Sequence, residues 1–159
     1  MPESAAFDCS ESAMLSPDPE PPDVQIVSWH AHIYFDGPAQ RATAAALREA
    51  IARRFAVQLG RWHDVLVGPH TRAMYQVAFE VALFERFVPW LALHRNGLDV
   101  LVHPNTLAPR ADHIHHALWL GQRLAVKPEL LAERISAEQE DPVQVNTQPS
   151  LSSTPRTTP

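Results

Sequence analysis

The chain has 159 residues, with thirteen Lys and Arg against eighteen Asp and Glu, nine histidines and one cysteine. That length allows one ordinary domain, the lone Cys9 excludes an intrachain disulfide and a thiolate metal site, and no apolar run approaches the roughly 18 residues of a membrane span. With no basic segment leading into an apolar one near Met1, the protein is expected to be soluble and cytoplasmic.

Composition divides the chain. Ten of the fifteen prolines lie outside residues 24–127, and residues 1–23 and 128–159 are rich in Pro, Ser, Thr and acids. Such segments bury too little apolar surface to offset their ordering entropy, so 1–23 is expected to be a disordered arm and 128–159 a mostly disordered tail. The 104 residues between them carry all five glycines, all four tryptophans and every aromatic residue except Phe7, enough for one core. Eleven basic against seven acidic residues leave this central part mildly basic. That suits an anionic small molecule, but without a Lys/Arg run or stripe it does not suit nucleic acid.

Residues 25–35 alternate and are rich in β-branched and aromatic side chains. They predict a first strand with Ala31, Ile33 and Phe35 on one face and His30, His32 and Tyr34 on the other. Asp36-Gly37-Pro38 starts a helix, in which Ala44, Leu47, Ile51 and Phe55 recur at helical spacing to about Val57. Val57–His63 reads as a short second strand, 64–70 as a turn, and 73–80 as a third strand with Tyr75, Val77 and Phe79 on one face. Leu83, Phe84, Phe87, Val88 and Leu91 predict an amphipathic helix reaching Asn96-Gly97, kinked or restarted at Pro89. A fourth strand, Leu98–His103, is stopped by Pro104-Asn105. Residues 112–121 form either a short helix, capped by Asp112 and ended by Gly121, or a fifth strand.

The order β-α-β-β-α-β is the split βαβ arrangement of ferredoxin-like α+β domains, an antiparallel sheet with helices on one face. The other face must be covered by a second subunit, by the C-terminal segment or by a site. No internal repeat is present.

All nine histidines fall between positions 30 and 116, a confinement that surface filler would not produce. The two-residue spacing of His30 and His32 points both imidazoles from one strand face, as a metal site or a proton-transfer site requires. Gln76 and His103 are candidates for the same face. His63 and His70 flank the 64–70 turn, while Asp112, His113 and His116 come from the closing element, 113 and 116 sharing a side if it is helical. Any metal must be held by imidazole and oxygen ligands, with Asp36, Asp64, Glu80 and Asp112 as carboxylate sources; an all-histidine site is the other possibility.

In order along the chain, WHAHIYFD, LGRWHDVLVGPH, MYQVAF, PWLALHRNGLDVLVHPNT and DHIHHALWLG resemble the small fungal and bacterial DOPA 4,5-dioxygenase family over nearly all of residues 27–124. The resemblance implies a single-domain, dimeric protein that cleaves the ring of L-DOPA or a related catechol carboxylate outside its two hydroxyls, using non-haem Fe(II) and O2. A crystal could hold Zn or Ni there instead. Such a site leaves metal positions for catecholate and O2, so the protein supplies about three ligands, typically two imidazoles and a carboxylate. The assignment this suggests is His30 or His32 with His103 and with His113 or His116 as ligands, the set His32, His103 and His113 being preferred, and His30, His70 and His116 in proton transfer. Arg61, Arg72, Tyr34 and Gln76 would contact substrate. The alternatives are the same chemistry on another catechol or bond position, and a non-catalytic dimeric metal- or ligand-binding module of the same fold.

Other residues have plainer readings. His94 sits near a helix end, where a cation is favoured by the dipole, and His115 faces solvent between more useful neighbours. Trp90, Trp119, Phe84 and Phe87 read as core, Tyr34 and Tyr75 as either catechol contacts or packed hydroxyls, and Gly68-Pro69 and Pro104-Asn105-Thr106 as turn chemistry.

Overall fold

Alternation along Ser28–Phe35 decides the architecture. Ala31, Ile33 and Phe35 enter an apolar core and are at most 3% exposed, while the histidines and Tyr34 take the other face. The computed structural model describes residues 24–147. In chain order its elements are β1 (Ser28–Phe35), α1 (Gly37–Arg54), β2 (Gln58–His63), β3 (Ala73–Phe79), α2 (Phe84–His94), β4 (Val100–Asn105), α3 (Pro109–Ile114) and β5 (Leu118–Leu120). The strands form one antiparallel sheet in the order β2-β3-β1-β4-β5. Its first four strands and two helices have the split βαβ arrangement, with β1 between β3 and β4. The closing segment holds both a short helix and a fifth strand, but Asp112 lies inside the helix, whose cap is Ala108, and the helix ends at Ile114 rather than at Gly121.

α1 and α2 supply the helix face of the core. Ala44, Leu47 and Ile51 of α1 and Phe87 and Leu91 of α2 pack against Ile33, Val77, Phe79, Val100 and Val102 of the sheet. α1 begins with Pro38 in its first turn, where a missing N–H costs nothing. It ends at Arg54, short of Val57, because Phe55 turns extended and packs edge-on against Phe87 and Trp90. α2 runs through Pro89 without a break, preceded by a 3-10 turn at Val81–Leu83. Pro89 and Glu85 are both exposed, on the solvent side of the helix, where a carbonyl left without its intrahelical donor costs least. β4 also runs through its proline. β5 pairs only with Val100–Val102, so at Pro104 that side of β4 is a free edge, where no ladder hydrogen bond is lost.

The chain itself covers the opposite face. Tyr34, Met74 and Leu101 are packed by Val67, Ala117, Trp119, Leu124 and Val126. The 64–72 loop is tied to the C-terminal segment by the His70–Val126 bridge, by the Lys127 N–H donating to Pro69 O at 2.9 Å, and by Thr71 Oγ1–H donating to Ala125 O at 2.9 Å. Residues 128–147, expected to belong to a tail, are fastened to the domain. Arg110 donates to the carbonyls of Pro128 and Leu131 and pairs with Glu133, and Asn146 occupies the edge of β2, accepting from Leu59 N–H at 2.7 Å. Their polar composition is explained by hydrogen bonding to backbone rather than by disorder. With them included, residues 24–147 hold twelve basic and twelve acidic side chains, so this body is neutral and not mildly basic. The expected arm 1–23 and the end of the tail, 148–159, lie outside the described residues. Among those residues, no helix is long and apolar enough to cross a membrane.

Candidate metal centre

The register of the sheet sets the first part of the site. His30 stands directly opposite His103 across β1 and β4, and His32 is opposite Leu101 on one side and Gln76 on the other. The tied-down 64–72 loop carries His70 over this face, and α3 brings His113. Five imidazoles converge, forming two trios whose ligand atoms lie within 4.8 Å of one another: His30, His32 and His103, and His32, His70 and His113. His32 belongs to both. The His103 and His113 rings are 3.9 Å apart, centre to centre.

Backbone carbonyls fix two of the tautomers. Because a carbonyl can only accept, His103 Nδ1–H must donate to Pro104 O at 2.8 Å and His113 Nδ1–H to Pro109 O at 2.8 Å. Each ring then keeps Nε2 as its lone-pair nitrogen, the form a metal ligand needs. His32 Nε2 lies 3.1 Å from His103 Nε2. Two nitrogens bound to one ion at about 2.1 Å stand about 3.0–3.4 Å apart in octahedral and tetrahedral geometry, so this pair is spaced as two ligands of one cation. His32 Nδ1 is buried and has no hydrogen-bond partner, a condition that costs about 1–3 kcal/mol. The donor set therefore fits a divalent cation that accepts imidazole nitrogen.

The electrostatics point the same way. Burial pushes His30 down to about 4, helped by His113 and opposed by Asp112. Burial likewise takes His70 to about 4, with His113 and His63 acting in the same direction. His32 and His103 are held well below the ordinary histidine value, by burial first and then by the neighbouring imidazoles. His113 is lowered by burial against the opposing pull of its bond to Pro109 O and of Asp112. The cluster is thus neutral at pH 7. Tyr34 is raised by burial and stays a phenol, its hydroxyl 2.8 Å from His70 Nδ1 and its ring stacked on Trp119.

No carboxylate joins either trio among the described residues. Asp64 is held by Arg41 and by Trp62 Nε1–H, Asp36 and Glu80 are exposed, and Asp112 is buried but fully bonded elsewhere. Of the open sequence readings, the all-histidine site is the one the fold assembles.

The other anticipated residues are distributed unevenly. His116 does not share a side with His113, because α3 ends at Ile114; its side chain is 45% exposed and bonded to Asp112. Arg72 pairs with Asp99 at 3.2 Å, at the far end of β1 from the histidines. Arg61 is exposed on β2, and Gln76 is half-buried beside His32. Tyr75 lies on the helix face, donating to Ala44 O, and is not part of the site. Half-buried His63 is lowered by burial and by Arg61, and lies outside both trios. His94 stacks on Trp90 at the surface and His115 is exposed. Trp119 is half-buried on the histidine face, packed against the apolar cluster of Tyr34, Met74 and Leu101.

Sequence reasoning missed Asn105 and Thr106, which are more than turn residues. Asn105 Nδ2–H donates to Ser28 Oγ at 2.6 Å and bonds His30 Nε2 at 3.0 Å, so His30 is oriented by a side chain where His103 and His113 are oriented by backbone. Thr106 binds Asp112. The signal was available: once β4 continues through Pro104, period-two alternation puts Asn105 on the His103 face.

The model of the Dopa 4,5-dioxygenase family matches residues 29–130. A DOPA 4,5-dioxygenase from Amanita muscaria is 33% identical over 107 residues, 62% of this chain and 47% of that one. An uncharacterised 21.2 kDa protein from Botryotinia fuckeliana is 33% identical over 115 residues, 65% of this chain and 63% of that one. The chain therefore spans less than two thirds of the length of either relative. The crystal structure of a dioxygenase candidate from Nostoc punctiforme superimposes with a TM-score of 0.65 at 52% identity, covering 66% of this chain and 90% of the other.

Proposed function

We propose that this chain, which belongs to the Dopa 4,5-dioxygenase family on its match over residues 29–130, is a non-haem Fe(II) extradiol dioxygenase that cleaves L-DOPA or a related catechol carboxylate with O2. The observation that carries the reading is the buried, neutral imidazole cluster in which His103 and His113 are held by Pro104 O and Pro109 O with Nε2 left for a metal. His32, His103 and His113 are the proposed ligands; His32 is common to both trios, while His103 and His113 come from different ones. Bound iron would supply activation of O2 and anchorage of the two catechol oxygens. Three protein ligands leave room for both, which five would not.

The remaining work belongs to the chain's own groups. His30 and His70 are neutral at pH 7; His70 can take a proton from a catechol hydroxyl at Nε2 when its Nδ1–H donates to the Tyr34 oxygen, whereas His30, whose Nε2 accepts Asn105 Nδ2–H, must release Asn105 to do so. Tyr34, kept protonated by its burial, holds the His70 ring in place. Trp119 and the loop over Tyr34 exclude water from this side of the sheet. Arg61, exposed on the edge strand and not engaged as Arg72 is, is the proposed partner of the substrate carboxylate.

Anaerobic reconstitution with Fe(II), followed by L-DOPA and air, tests this. The expected result is O2 uptake matched to substrate loss, with a strongly absorbing yellow semialdehyde product. Absence of both with L-DOPA and with a panel of other catechols overturns the reading.

A further inference from the structure

Asp112 is 1% exposed, and the carboxylate has an unusual set of partners. Oδ2 accepts the Thr106 backbone N–H at 2.9 Å; Oδ1 accepts the Thr106 hydroxyl at 2.6 Å and His116 Nδ1–H at 3.0 Å. No Lys or Arg pairs with it among the described residues; its only ion-pair partner is His116, which is itself nearly half exposed. A buried carboxylate without a cation is costly. The three hydrogen bonds meet part of that cost, and two imidazoles of the site, His30 and His113, lie within reach of the charge. The charge of Asp112 acts on His30 and His113, opposing the burial that lowers both. The same carboxylate links two site-bearing elements, since Thr106 follows His103 by three residues on the way out of β4 and Asp112 immediately precedes His113 in α3.

We infer that Asp112 is a positioning residue for the metal centre: a fixed negative charge that balances a divalent cation held by neutral imidazoles alone, and, through Thr106, the brace that sets His113 against His103. This rests on the metal-binding part of the proposed function. It replaces the expectation that Asp112 could be the carboxylate ligand, because both oxygens are already occupied and neither trio includes them. Outer carboxylates and hydrogen bonds of this kind typically change metal affinity about 10–100-fold.

The test measures affinity, not turnover. Metal-free full-length protein is titrated with Zn2+ against a chromophoric chelator, alongside Asp112→Asn, which keeps the shape and one acceptor oxygen but removes the charge, and Thr106→Val, which keeps the charge but cuts the hydroxyl brace. Asp112→Asn should weaken binding about 10–100-fold and Thr106→Val a few-fold. A lowered melting temperature of the metal-free protein with unchanged Zn2+ affinity in Asp112→Asn would make the residue merely structural and overturn the inference. Should Asp112→Asn not fold, unchanged affinity in Thr106→Val overturns it. Failure of the unmodified protein to bind Zn2+ at all would instead remove the metal-site reading on which both rest.

Discussion

The two faces of this sheet are made by the same strands and obey opposite rules. On the helix face, Ile33, Val77, Phe79 and Val100 are fully buried among apolar side chains from both helices, so each contact lowers the free energy; the exception is buried Arg48 of α1, which lies over the Tyr75 ring and donates to Gly60 O with Nη1 unpartnered among the described residues. On the other face, His32, His70, His103, His113 and Asp112 are almost as deeply buried, yet they are polar, one nitrogen is unbonded, and no ladder of secondary structure satisfies them. Burying them costs free energy that the first face supplies. One face specifies that the chain folds, and the other specifies what the folded chain binds.

The sharpest way to separate the faces is to truncate one residue on each. Phe87 is fully buried and touches Phe55 and Phe79 edge-on, so Phe87→Ala should cost about 3–5 kcal/mol while leaving Zn2+ affinity of the folded fraction unchanged. His32→Ala should do the reverse: metal affinity falls at least about 100-fold, because a shared ligand is lost, while the metal-free protein loses little stability or gains some as the unpaired Nδ1 disappears. Urea unfolding and chelator competition on both variants read this out. If His32→Ala unfolds the metal-free protein as severely as Phe87→Ala, the two faces are not energetically distinct.

Legibility in the sequence differed between the faces for the same reason. The apolar face repeats at period two in strands and about 3.6 in helices, so Ala31, Ile33 and Phe35, and then Ala44, Leu47 and Ile51, could be read off directly. The polar face has no such redundancy. His30, His32 and His103 were legible because they lie on strands; His113 was legible as a candidate, but not its separation from His116, which depends on where α3 stops. Asn105 and Thr106 were hidden behind Pro104, since a proline was taken to end a strand that in fact runs on along a free edge. The fastening of 128–147 was invisible because its contacts, such as Asn146 on Leu59, join residues far apart in sequence through backbone groups that carry no side-chain signature.

Acid should expose the histidine face selectively. An unfolded histidine titrates near 6.5, whereas His30 and His70 titrate at about 4 in the folded, metal-free protein. Above about pH 7.5 both are neutral in either state and contribute almost no pH dependence. Between about 6.5 and 4 the unfolded chain takes up protons that the folded one refuses, so stability falls with decreasing pH by up to about 1.4 kcal/mol per unit for each imidazole, levelling off below about 4. Urea midpoints of the metal-free protein at pH 7.5, 6.5 and 5.5 should show a small drop over the first step and a larger one over the second. A flat profile across all three would mean that the cluster is not neutral in the folded state.

The smallest effect discriminates between the two arginines. Arg72 is only about one third exposed and is paired with Asp99 at the end of the sheet away from the histidines, so Arg72→Ala should cost no more than about 1 kcal/mol and leave the KM for a catechol carboxylate where it was. Arg61 is exposed on the edge strand, so Arg61→Ala should leave stability within about 0.5 kcal/mol and raise the KM for L-DOPA, but not for a catechol without a carboxylate. Steady-state kinetics on the two substrates separates them. A KM rise in Arg72→Ala with none in Arg61→Ala would show that substrate approaches from the Asp99 end of the sheet, and that the polar face extends to an arginine already paired with Asp99.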